Sequence, residues 1–169
     1  MSRRLWIAVI CSCLVFTATA WSVSDDITAT ADVQTPLTVT GSADLDFGTV
    51  FPGVNKAVAY TDAVNAGQWD ITGEAAAEVT LEFTALPATL TFGANTLPIV
   101  YAVTDAGHYT TDTPGSATSF DPAVGTTTDL HAATGALFVW IGGTVQPPED
   151  QAAGTYTGTI TLNVAYTGN

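Results

Sequence analysis

An all-β fold, either a sandwich or a barrel, is predicted for this chain by three observations. Apolar residues recur at every second position in run after run, and Gly, Pro and Asn turn compositions separate the runs at short intervals. Helical periodicity is missing beyond the opening segment, where Glu74-Ala-Ala-Ala-Glu78 is the one helix-friendly patch and is too short to stand alone.

The chain opens on Arg3 and Arg4, an apolar run from Leu5 to Phe16, and small residues ending Ala18-Thr19-Ala20. That order reads as a cleaved signal peptide over residues 1–20 taking the general secretory route, with Trp21 first in the mature protein. The apolar run is too short to span a bilayer and no later run is longer, so no membrane-spanning segment is expected. Both cysteines, Cys11 and Cys13, fall inside the signal. The mature chain is therefore expected to be secreted, to the periplasm or the bacterial cell surface, without a disulfide. Removal of the signal leaves one base, Lys56, against all sixteen acids, a surface that repels nucleic acid and anionic lipid.

Residues 21–36 form an amino-terminal extension. Ile27, Ala29, Ala31 and Val33 share one parity with Leu37 and Val39, against Thr and Asp on the other, and the alternation outruns the usual strand of about five or six residues. Pro36 lacks an N–H, and divides this run into the extension and a first domain strand, Leu37 to Thr40. The domain itself is expected over residues 37–169. Its next strand is Asp44 to Gly48, ending before Pro52-Gly53. Strands then follow around Val58 and Tyr60; Trp69 and Ile71; Val79, Leu81 and Phe83; Leu90 and Phe92; and Leu97, Ile99 and Tyr101.

From Thr104 to Thr134 the alternation dissolves into Gly, Thr, Ser, Asp and Pro around a single Phe120, and a long irregular loop is expected. Leu137-Phe-Val-Trp-Ile141 is apolar at both parities. Its Leu137, Val139 and Ile141 suit the core, while Phe138 and Trp140 need another cover, either that loop folding back or a neighbouring subunit, and so are the candidate exposed contacts. The chain closes on Gly154 to Tyr166, where Tyr156, Gly158, Ile160, Leu162, Val164 and Tyr166 line one face and Thr and Asn line the other.

Catalytic chemistry lacks its parts. No Gly-x-Ser-x-Gly elbow occurs, the mature chain has no thiol, and the two histidines, His108 and His131, are expected on the surface without clustered partners. Asp44 and Asp46 share a parity that suits calcium or a glycosidase pair, but flanking Leu45 and Phe47 make them solvent-side residues. Trp69 and Tyr101 fall on core parity, which leaves Trp140 and Tyr109 as the aromatic residues able to face a sugar. Neither an enzyme nor a cofactor is expected.

The runs Asp44-Leu-Asp-Phe-Gly-Thr-Val50, Val139-Trp-Ile-Gly-Gly143 and Gly154 to Tyr166 resemble the exported bacterial family called domain of unknown function 4402, over most of the mature chain. The final strand and the Leu-Asp-Phe-Gly opening are also similar to spore-coat-U-type and chaperone-usher pilin-like domains. That resemblance implies an immunoglobulin-like antiparallel β-sandwich whose groove takes the amino-terminal strand of the next subunit, with Ile27, Ala29, Ala31 and Val33 as donor positions. It also implies self-association, or pairing with a related subunit or a periplasmic chaperone. Many such domains carry a cysteine pair that this mature chain lacks. The expected function is an exported structural subunit of filament type, and the alternative is a stand-alone secreted module binding polysaccharide or another surface ligand.

Overall fold

The computed structural model describes residues 21–168, so the signal expected at residues 1–20 lies outside the described residues. The chain divides into two units, Met1–Asp32 and Val33–Asn169. In the first unit the described residues form no strand and are exposed throughout, Ile27 at 96%. In the second, twelve strands and one short 3-10 turn, Pro114–Ser116, follow each other with no α-helix among the described residues. Accordingly, among the described residues no helix is long and apolar enough to cross a membrane.

The fold is an all-β sandwich of antiparallel sheets. The five-stranded sheet has the order β1 (Thr38–Ala43), β3 (Gly67–Thr72), β10 (Ala136–Ile141), β7 (Ala106–Tyr109) and β8 (Thr118–Phe120). A three-stranded sheet, β12 (Thr161–Tyr166), β4 (Glu78–Ala85) and β9 (Thr126–Asp129), faces it. Alternation sends Ile71, Leu137, Val139, Ala106 and Phe120 from the first and Val79, Leu81 and Leu162 from the second into one core, closed by Leu130. Each such large apolar side chain contributes roughly 1.5–3 kcal/mol by leaving water.

The four-stranded sheet has the order β2 (Lys56–Val58), β11 (Gly143–Val145), β6 (Asn95–Val100) and β5 (Thr89–Phe92). Its Val58, Leu97, Ile99 and Val145 make a second core with Phe47. No further sheet covers this core among the described residues. Leu45, Val50 and Tyr156, from two runs outside the strands, pack on it instead.

Several sequence expectations need correction. The stretch from Thr104 to Thr134 contains β7, β8 and β9 rather than one irregular loop. These strands are three or four residues long and offer the first core only Ala106 and Phe120, too little for a two-residue period to show; backbone ladders hold them in place, β7 on β10, β8 on β7 and β9 on β4. Asp44 to Gly48 is not a strand: Asp46 donates its N–H to Asn65 O at 2.9 Å and accepts the Gly48 N–H on Oδ1 at 2.6 Å, which turns the backbone locally. The final run forms a ladder only from Thr161 to Tyr166, with one isolated bridge from Thr157 to Thr91 before it. Its face assignment is nevertheless right, with Leu162 buried, Tyr156, Ile160, Val164 and Tyr166 half-buried, and the intervening Thr and Asn exposed.

Trp140, expected as an exposed contact, is 1% exposed, and Phe138 is half-buried against it with ring centroids 6.1 Å apart. β10 is the central strand of its sheet, and Trp140 sits opposite Gly107. Where a side chain at Gly107 would stand lie the Tyr60 ring and Ala117, so the chain covers this face itself. The cover includes the segment after β7, as Gln68 Nε2 donates to Asp70 Oδ1 at 3.0 Å and to Asp112 Oδ1 at 3.2 Å.

Because Leu162 is 7% exposed in the first core, Leu162→Ala is expected to cost about 2–5 kcal/mol through lost burial and a cavity. Exposed Thr161→Ala is expected to stay within about 0.5 kcal/mol of wild type. Urea unfolding of both variants checks the difference, and equal losses would contradict the face assignment.

Candidate strand-binding groove

The uncovered side of the second core is an open groove of about 830 Å³. Its floor is Leu90, Leu97, Ile99 and Val145, with Trp69 and Ile141 continuing it toward the first core. One wall runs from Ala43 through Leu45 and Phe47 to Val50, and the other from Gln151 through Tyr156 to Ile160. The walls run in opposite directions, since the first leaves the five-stranded sheet and the second leads into β12. No ladder joins them.

Backbone polarity makes the second wall receptive. Thr157 exchanges both bonds with Thr91, N–H to O at 3.0 Å and O from N–H at 2.8 Å. In an extended chain the neighbouring residues point their N–H and C=O to the opposite side, so Tyr156 and Gly158 present theirs along the groove. Neither makes a backbone hydrogen bond among the described residues. Gln151 anchors the wall's start, its Nε2 donating to Thr96 O at 3.2 Å and to Tyr156 Oη at 2.5 Å, while Tyr156 Oη donates to Ala152 O at 2.8 Å. An apolar floor beside unpaired backbone groups is the requirement for adding one β-strand.

The sequence-derived candidates are distributed differently. Ile27, Ala29, Ala31 and Val33 are all exposed and belong to no strand. Asp44 and Asp46 are exposed residues of the first wall. His108, expected at the surface, lies in β7 with its ring tilted on Phe120 at 5.8 Å, and burial pushes its pKa below the usual histidine value. His131 caps a turn, its Nδ1 accepting the N–H groups of Ala133 and Thr134 at 3.2 Å each. Tyr109 is 38% exposed, whereas the half-buried Trp69 packs edge-on against Phe83 at 5.6 Å. Burial pushes the Tyr101 hydroxyl up to about 12. Among the described residues no group of three or more His, Cys, Asp or Glu is placed to hold a metal ion.

One arrangement escaped sequence reasoning. Thr35 donates its Oγ1 to Glu74 Oε2 at 2.5 Å and its N–H to the same oxygen at 2.9 Å. Tyr166 Oη donates to Thr35 O at 2.8 Å and accepts the Glu74 N–H at 2.6 Å. Thus the base of the extension is fastened to both the turn after β3 and the end of β12.

The family model described as Domain of unknown function (DUF4402) matches residues 37–166. No curated protein matches the chain.

The Thr35 hydroxyl, and then its N–H, hold the Glu74 carboxyl below its ordinary pKa. A carboxylate lowered in the folded state stabilises fully above its unfolded pKa, and loses that contribution as pH falls through the folded value. Glu74→Gln is therefore expected to reduce stability near neutral pH, with the gap to wild type closing as the pH falls below the ordinary glutamate range. Denaturant midpoints measured across pH 2 to 7 check this, and a gap independent of pH would contradict it.

Proposed function

The chain belongs to the DUF4402 family, and on that premise we propose that it is a non-enzymatic, exported structural subunit that assembles with copies of itself. The extension of one copy fills the groove of the next by donor-strand complementation. The observation that carries this reading is the groove, with its apolar floor and a wall whose Tyr156 and Gly158 backbone groups have no backbone partner. The extension has matching chemistry: Ile27, Ala29, Ala31 and Val33 form one apolar row on an exposed segment that belongs to no strand among the described residues. Extended, residues 27–33 span about 23 Å. Donor and acceptor surfaces differ, so the contact is heterologous and propagates as an open-ended chain. The amino-terminal signal pattern supports export to the periplasm or cell surface, and the resemblance to chaperone-usher pilin-like domains supports a periplasmic chaperone as the partner before assembly.

Deleting residues 25–34, which spares Thr35, is expected to abolish high-mass assemblies of the mature protein. Val33→Asp should do nearly the same by placing an unpaired carboxylate against the apolar floor. A free peptide of residues 21–34 should raise the thermal midpoint of the Val33→Asp chain in a concentration-dependent way, because it binds the folded state alone. Electron microscopy and size-exclusion chromatography report the assemblies. Monomers alone from the wild-type chain, with an unchanged midpoint on adding peptide, would overturn the proposal.

A further inference from the structure

The groove has two unlike mouths. At the Ala43 end the rim is small and polar, with Ser42 Oγ donating to Asp70 Oδ1 at 2.9 Å. At the Val50 end the chain passes into a turn bearing Phe51, 66% exposed, and Val54, 57% exposed, with Pro52 between them lining the groove. That turn is held firmly: Val54 donates its N–H to Phe51 O at 3.1 Å, and Gly53 donates to Pro147 O and Pro148 O, each at 3.1 Å. This braced turn presents two large apolar side chains to water beside the groove mouth, where a partner's surface can cover them.

The extension's anchoring limits what that something is. Thr35 is fastened to its own domain through Glu74 and Tyr166, and Val33 lies two residues before it. Two residues of extended chain reach at most about 7 Å. With Val33 in an acceptor's groove, the donor's domain must therefore press on whichever mouth Val33 enters.

We infer that Phe51 and Val54 form the seat for the donor domain of a second copy of this chain, so that the inserted strand runs with Val33 at the Val50 mouth and Ile27 toward Ala43. This rests on the donor-strand reading above. The inserted strand is then parallel to the first wall and antiparallel to the wall that leads into β12. Charge supports the same occupant. Lys56, the only Lys or Arg of residues 21–168, donates its Nζ to Thr49 O at 3.2 Å beside this mouth. Asp32 of the incoming extension, next to Val33, brings a carboxylate to the mouth at which Lys56 stands.

The test uses the full mature chain, which has no cysteine of its own. Gln34→Cys combined with Val54→Cys is expected to give an intermolecular disulfide ladder on oxidation, whereas Gln34→Cys combined with Ala43→Cys is not. Phe51→Ser is expected to weaken self-association roughly tenfold or more, the range for losing a buried aromatic side chain. Placed in the Val33→Asp chain, the same change should leave affinity for the 21–34 peptide within about twofold, because the peptide carries no domain to seat. Val124→Ser, at a residue 78% exposed away from the groove, should change neither. A ladder through the Ala43 pair instead, or a Phe51→Ser effect no larger than that of Val124→Ser, would overturn this inference while leaving the groove reading intact. Failure of the peptide to bind would overturn both.

Discussion

The architecture depends on one close backbone approach at Gly142. Its N–H reaches Asp105 O at 2.7 Å, and the space a side chain would need there is filled by Val58 O and by Tyr60 N at 2.7 Å. Only a residue without a Cβ lets the end of β2 cross the chain at this point. The strand that enters as β10, paired to β3 and β7, can thereby leave as β11, paired to β2 and β6. A single run thus belongs to two sheets, and Leu137 and Val139 fill the first core while Val145 fills the second.

That bend also explains why the two halves of the domain differ. In the first half the opposing layer of β12, β4 and β9 satisfies both requirements of a sheet face, covered apolar side chains and paired backbone groups. In the second half the final run contributes one bridge at Thr157 before it joins β4, and the first run leaves its ladder at Ala43. Apolar cover is therefore partial, and backbone pairing is incomplete on one wall. The donor strand proposed for this half is one more extended chain with small and medium apolar residues at every second position.

Where inward residues are large and evenly spaced, the fold was legible in the sequence. Val79, Leu81 and Phe83, or Leu97 and Ile99, announce strands because burial and a two-residue period coincide. The period fails in β7 and β9, where Gly107 makes room for Tyr60 and Thr occupies three of four positions. Parity likewise located Leu162, but could not show that the run would leave its sheet ahead of Thr161. Trp140 was misplaced because alternation assigns a face without saying what lies over it. The groove was legible only in its parts: floor residues could be named, and the extension could be named, but the absence of a covering strand is a property of three-dimensional order. No local pattern marks Thr35, Glu74 and Tyr166 as neighbours.

The fastening of Thr35 carries a kinetic consequence. Its bond to Tyr166 spans a sequence separation of 131 residues, nearly the whole domain. Closing so long a loop is favourable only after intervening strands have drawn its ends together. A chain is synthesised from its amino terminus, so Thr35 precedes β12 and the base of the extension stays unanchored until β12 has been made. The domain thus registers its own completion at the point where its exposed leading segment joins it.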